Sequence, residues 1–247
     1  MIYYRQMISY RLKHLVAFYL LPFAICVLLF SCKDEQDTLD IDYKYGYFRL
    51  DSGHYVTYDV DSIFSYNSSF TKDTAHYQLM EVVTDTFYDN LNQLNYELTL
   101  YRREDAGSPW VFDRKWFVIK TQYNVQKIED NLRFIKLVFQ PEQNKAWNGN
   151  LYVSTAEPFR DYQNWDYHYE SVDVPYSING FSLDSTLSVS EVNDSSFVNK
   201  RLRKEIYAKN AGMIYQEFEI KTKQTVTSWD TGDWNGFSIR MRMIDHN

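Results

Sequence analysis

Thiols are nearly missing from this chain. Its only two cysteines, Cys26 and Cys32, both fall within the first 32 of 247 residues. The remainder therefore has no disulfide, no thiolate metal site and no cysteine nucleophile. A domain without such staples must rest on its own core, and about 200 residues suffice to bury one. Glycine and proline are scarce, at eight and five, and no phosphate-cradling glycine loop, Gly-x-Ser-x-Gly elbow or His-Glu-x-x-His pair is present. No apolar run reaches the roughly 20 residues that a membrane-spanning helix needs. No basic stripe occurs either, and the formal charge is −7. Phosphates would be repelled by such a chain, so no nucleic-acid partner is expected.

What is present first is a leader. Arg5, Arg11 and Lys13 precede an uncharged apolar stretch over 15–30, followed by Ser31 and Cys32. This order of basic, apolar and small residues is that of a secretory signal peptide. Leu29-Phe30-Ser31-Cys32 resembles the bacterial lipobox, with an aliphatic residue three before the cysteine and a small one just before it. The resemblance implies cleavage after Ser31 and a diacylglyceryl thioether on Cys32. The alternatives are an uncleaved single-span anchor and plain secretion with cleavage elsewhere. Met7 offers a second start with an ordinary basic region after it. Lys33-Asp34-Glu35-Gln36-Asp37 is either a solvated tether or, as in Bacteroidota, a signal for export to the outer face of the outer membrane. The expected location is thus the outer membrane, lipid-anchored and exposed at the surface, with a periplasm-facing protein as the alternative. Removing residues 1–31 takes away three positive charges and no negative ones, which leaves −10. The expected divisions are a signal peptide at 1–31, an acidic tether at 32–47 and a β domain at 48–247.

The rest is aromatic, with 22 Tyr, 16 Phe and 6 Trp. Such residues favour half-buried strands, and tyrosine suits sheets with one wet and one dry face. Period-two alternation predicts strands over 54–60, 76–84 and 94–103, one or two over 110–123, and a hairpin over 125–139 turning at 129–131. Strands resume at 167–174, 187–192, 197–208, 213–221 and 237–243. Val56, Tyr58 and Val60 share a face, as do Tyr96, Leu98 and Leu100, and Trp116 with Val118. Residues 142–165 are irregular, with a short helix expected near 156–164. The fold expected is all-β and mainly antiparallel: about ten strands in a strongly curved open sheet or barrel-like domain, with little helix beyond the signal peptide. The hairpin at 205–215 resembles those of LolA-like or lipocalin-like exported proteins, which implies a curved sheet of that kind.

Segments 131–139, 147–150 and 205–215 resemble a group of Bacteroidota lipoproteins of unknown activity, in which a Tyr-Ala-Lys-Gly-x-Gly hairpin is frequent. Here Asn210 stands where glycine often does, and asparagine also adopts the left-handed turn conformation. The resemblance implies a lipid anchor and an exported β domain, and carries over no catalytic residues.

Candidate chemistry is sparse. Asp230-Thr231-Gly232 matches the aspartic-protease tripeptide, but that chemistry needs two carboxylates sharing a proton and there is one copy. A hairpin turn accounts for it better. Asp230, Asp233 and Asn235 lack EF-hand spacing, and His54, His76, His168 and His246 show no zinc spacing, so no metal and no cofactor are expected. Trp110, Trp147, Trp165, Trp229 and Trp234 lie in or beside expected loops, where they either line a ligand mouth or cap the core. Thr38, Ser62, Thr74 and Ser185 follow aspartates in short matches to a Bacteroidota O-glycosylation acceptor. The domain is expected to be non-enzymatic and to bind an apolar small molecule or an envelope protein. A structural accessory of an outer-membrane complex is the alternative. Replacing Cys32 by alanine should abolish incorporation of labelled fatty acid; label retained on C32A would sink the anchor.

Overall fold

The computed structural model describes residues 42–66, 71–154, 156–224, 228–229 and 233–247. Ser31, Cys32, Thr38 and the Asp230-Thr231-Gly232 tripeptide lie outside them. Twelve strands form one antiparallel sheet: β1 (Tyr55–Ser65), β2 (Asp73–Tyr88), β3 (Leu94–Arg103), β4 (Val111–Lys120), β5 (Asn124–Glu129), β6 (Leu132–Val138), β7 (Ala146–Trp147), β8 (Tyr167–Ile178), β9 (Phe181–Ser195), β10 (Asn199–Ala208), β11 (Gly212–Thr222) and β12 (Asn235–His246). Their spatial order is β6-β5-β4-β3-β2-β1-β12-β11-β10-β9-β8-β7. Two six-strand meanders are thus joined back to back where β1 pairs with β12. The all-β, barrel-like architecture expected from alternation is the one found, with twelve strands rather than ten.

The alternation places the core as read. Val56, Tyr58 and Val60 on β1, Leu98 and Leu100 on β3, and Val118 on β4 are all buried. Two differences have local causes. The strands β8 and β9 run further than expected because Asn179 and Gly180, with φ of 47° and 86°, form a two-residue hairpin turn whose twist matches the strands it joins. The helix expected over 156–164 is only a 3-10 turn, Arg160–Tyr162. Pro158 sits inside that stretch and has no N–H to continue a helical ladder.

One end of the barrel is plugged by the chain's own first described residues. Tyr47, Phe48 and Leu50 belong to the buried core. The Tyr47 hydroxyl meets Asp173 and Ser185, Lys44 pairs with Asp173, and Lys120 Nζ donates to the Tyr45 and Phe48 carbonyls, both at 2.8 Å. Packing therefore already includes the end of the stretch read as tether.

The sheet's two terminal strands would present open hydrogen-bonding edges. They are sealed to each other by side chains. The Tyr169 hydroxyl donates to Val138 O at 2.7 Å and accepts from Val138 N at 2.9 Å. Trp147 Nε1 donates to Ile135 O at 2.8 Å, and Ile135 N donates to Gly149 O at 2.8 Å. Burial holds the Tyr169 phenol in its protonated, donating form. Tyr169→Phe leaves both Val138 backbone groups without these partners, which costs about 1–3 kcal/mol. Urea unfolding of a soluble form beginning at Lys33 measures this, and an unshifted midpoint would show that water replaces the phenol at the seam.

Candidate functional site

Between the plug and the open end the barrel carries a belt of charge. Lys136 Nζ donates to Glu191 Oε1 and Glu205 Oε1, each at 2.5 Å. Arg203 Nη2 donates to Glu129 Oε2 at 2.7 Å and reaches Glu205 Oε1 at 3.3 Å, while its Nε lies 3.2 Å from Glu191 Oε2. Lys127 Nζ donates to Glu81 Oε2 at 2.7 Å and lies 3.6 Å from Glu129. Lys136 is 1% exposed, Glu191 and Glu205 0%, and Arg203 3%.

Local irregularities fall at two of these groups. Opposite the β5 residues Val125 and Gln126, β6 pairs through Leu137 and Ile135, so Lys136 is the extra residue of a β-bulge. Opposite Lys204 and Arg203, β9 pairs through Ser190 and Val192, so Glu191 is the extra residue of another. Bulges bend a strand and redirect a side chain. The principal ion pair of the belt is thus formed between two bulge residues.

The belt holds four carboxylates and three cations, and the carboxylates are not equivalent. Glu205 also accepts from Gln216 Nε2 at 2.7 Å and from the Tyr207 hydroxyl. Burial opposes its charge, but Lys136 and Arg203 outweigh burial and hold it well below the usual range. Burial likewise opposes Glu129, and Arg203, Lys136 and Lys127 bring it down to about 2. Glu191 differs because its Oε2 receives no hydrogen bond. Burial, aided by the neighbouring Glu205, pushes it up to about 7 against the pull of Arg203 and Lys136. Glu191 is thus the belt carboxylate that burial brings closest to its protonated form.

Above the belt lies a cavity of roughly 580 Å³. Leu79, Leu100, Leu132, Phe134, Met213 and Met241 make apolar wall, and Lys127, Glu129, Arg203 and Gln216 form the floor. Rings roof the two floor cations: Lys127 Nζ is 4.5 Å from the Trp116 centroid and Arg203 is 4.7 Å from that of Phe218. Toward the mouth stand Phe64, Asp73, Tyr77, Arg102, Asp113, Arg114 and Asp130. An aromatic arc runs Phe64–Phe237–Phe218–Trp165–Tyr162–Phe134, with neighbouring centroids 4.8–6.2 Å apart. On the plug side of the belt only about 20 Å³ is open.

None of the five loop tryptophans is among the residues that line the large cavity. Trp147 lies in the seam against Tyr169, and Trp165 is a buried link of the arc, its Nε1 donating to Asp161 O at 2.7 Å. Arg103 stacks on Trp110, Lys223 on Trp229, and Lys72 and Lys221 on buried Trp234. The tryptophan that does line the cavity is Trp116, on β4. Ser62 faces the interior, 3% exposed, and Ser185 is bonded to Tyr47 and Asp173, whereas Thr74 is exposed. His54 donates from Nε2 to Ala211 O at 2.9 Å, His76 pairs with Asp61, His168 stands beside Asp166, and His246 packs on Phe181. Asp233 is exposed and Asn235 opens β12. Among the described residues no three His, Cys, Asp or Glu side chains are grouped to hold a metal, and no helix is long and apolar enough to cross a membrane.

The fold and cavity define an antiparallel, barrel-like β-sheet whose described residues leave the cavity open at one end. Comparison with known families, characterised proteins and solved structures gives no significant match.

The belt makes stability depend on pH. Glu191 keeps its proton up to about pH 7 in the folded chain but loses it near 4.5 when unfolded. The folded state binds the extra proton between those values, so the stability Glu191 contributes is complete below 4.5 and gone above about 7. Glu191→Gln mimics the protonated form. The melting temperature of E191Q relative to the wild type should therefore be higher at pH 8 than at pH 5; an equal difference at both values would place the proton elsewhere.

Proposed function

We propose that this chain is a lipid-anchored bacterial envelope protein, tethered through Cys32, whose barrel binds a small, largely apolar molecule and catalyses no reaction. The observation that carries this reading is the cavity. Its roughly 580 Å³ falls in the range of ligand sites, about 300–1,000 Å³, and it joins apolar walls to a few placed polar groups as such sites do. The belt carboxylates are engaged by cations, which suits a structural floor better than a reacting centre. The leader supports the anchor, and the acidic stretch after Cys32 supports placement on the outer membrane, facing outward. A structural accessory of an outer-membrane complex is the second reading. It draws on exposed apolar side chains such as Leu91, 80% exposed, and Phe197, 76% exposed, which would suit contact with another envelope protein.

The uncharged fluorophore N-phenyl-1-naphthylamine tests the cavity directly. A soluble form beginning at Lys33 should bind one equivalent saturably, with brightened emission. Leu100→Trp places a large ring into the cavity wall and should weaken binding at least about tenfold while the protein still melts cooperatively. Non-saturable binding, or binding indifferent to L100W in a folded protein, would remove the cavity as the site.

A further inference from the structure

Four cationic side chains line the large cavity, and three are already committed to carboxylates. Arg114 holds Asp113 at 2.8 Å and Asp130 at 3.1 Å, Lys127 holds Glu81, and Arg203 holds Glu129. The fourth is Arg102. Among the described residues no carboxylate pairs with it; its guanidinium instead sits 3.8 Å over the ring of Tyr77, another cavity-lining residue. Resting on the reading of this cavity as a binding site, we propose that Arg102 receives the anionic head of a single-tailed amphiphile, whose apolar tail occupies the space between Leu79, Leu100, Phe134 and Met241.

The placement fits that ligand in three respects. Stacking on Tyr77 fixes the plane of the guanidinium and leaves its N–H fork free, and a held fork loses less freedom when it grips two oxygens of a carboxylate or phosphate. Arg102 lies opposite Leu79 in the β2–β3 ladder, so it stands at the level of the apolar wall rather than beyond it. The acidic lining groups compete weakly. Asp113 and Asp130 are both held by Arg114. Asp73 is four residues along β2 from Tyr77, roughly 13 Å at strand spacing, beyond the screening length of physiological salt. At the floor, Lys127 and Arg203 are engaged by Glu81 and Glu129 and stand beside the rings of Trp116 and Phe218, so they compete less for an anionic head than Arg102 does. A neutral apolar molecule would leave the Arg102 fork to water, whereas an anionic head gives it a partner at the mouth of a space shaped for a chain.

Displacement of N-phenyl-1-naphthylamine from the soluble protein provides the test, with dodecanoate, dodecyl phosphate and dodecanol as competitors below their aggregation concentrations. The wild type should prefer at least one anionic amphiphile to dodecanol by about tenfold or more, the worth of a charge-assisted hydrogen-bond pair. The tighter of the two anions identifies the head. Arg102→Gln should bring that preference to within about twofold, and Arg102→Lys should restore only part of it. Acetate and inorganic phosphate should fail to displace the probe at concentrations where the amphiphiles succeed. Equal affinity for dodecanol and both anions, or a preference that survives R102Q, overturns the proposal while leaving the cavity as a site for neutral molecules. Displacement by inorganic phosphate alone would also overturn it, since the tail would then contribute nothing. Loss of probe binding altogether in the wild type would instead strike at the cavity reading itself.

Discussion

The barrel depends on burying a set of charges that water would hold more cheaply. Seven side chains, Glu81, Lys127, Glu129, Lys136, Glu191, Arg203 and Glu205, meet across its interior. Taking such groups out of water costs several kcal/mol each, and only close geometry and extra hydrogen bonds recover it. That requirement propagates outward. The two bulges fall at Lys136 and Glu191, where each strand bends as its charged side chain reaches the interior. Tyr207 and Gln216 are needed at Glu205 because one lysine and one arginine do not satisfy both of its oxygens. Loss of any cation of the belt leaves its carboxylates uncompensated in the interior. The belt is therefore a device for fixing register at least as much as a source of stability: a strand slipped by one residue turns its charges outward and strands their partners.

The belt also divides the barrel into two unlike halves. Below it, the plug of Tyr47, Phe48 and Leu50 completes a filled core, and only about 20 Å³ stays open. Above it the interior stays open. An all-apolar interior of this width would gain by collapsing onto itself, since unfilled apolar space forfeits dispersion contacts. A rigid charged floor opposes that collapse, because its side chains are pinned to strands on opposite sides: Lys136 on β6 to Glu191 on β9 and Glu205 on β10, and Arg203 on β10 to Glu129 on β5. The same cross-barrel ties hold the two meanders at a set separation. The seam between the terminal strands can then be made by side chains, Tyr169 and Trp147, rather than by a full ladder.

Much of this was legible in the residues. Alternation at Val56-Tyr58-Val60 and Leu98-Leu100 marked the inner faces, because on those strands polarity and orientation agree. The left-handed turn at Asn210 followed from residue type. The Asn179-Gly180 hairpin carried its signal openly, in an Asn-Gly pair flanked by strand-forming residues, and passed unread because Pro175 interrupts the run before it. The belt was hidden for a different reason. On β10 the inward set is Arg203, Glu205 and Tyr207, while Ile206 and Ala208 occupy the other face, so the rule of apolar-in and polar-out points the wrong way. Lys136 keeps the period of Leu132 and Phe134, and Glu191 that of Leu187 and Val189, so each is a charged residue on an otherwise apolar inner face, and nothing local announces the bulge beside it. The one visible trace was a lysine in the most apolar strand, 133–139, whose cost required partners that only the folded chain reveals. The loop tryptophans misled in the opposite direction. Position near a loop says little about a ring that is buried, as Trp165 is, whereas Trp116 reaches the cavity from a strand.

Charge inversion of this kind bears on what the open half is for. A domain selected only to be a stable scaffold gains nothing from an interior that keeps roughly 580 Å³ unfilled above a costly ionic floor, since filling it with apolar side chains would add stability on both counts. Retaining both features is a constraint on shape and not a contribution to folding. The floor ties strands across the interior, the rings of Trp116 and Phe218 lie against its cations, and the plug and seam close the described part of the barrel around it. Each element taken alone is a local packing solution. Together, among the described residues, they leave the cavity open past Tyr77 and Arg102, and under the binding role proposed above the groups there are the first that an entering molecule would meet.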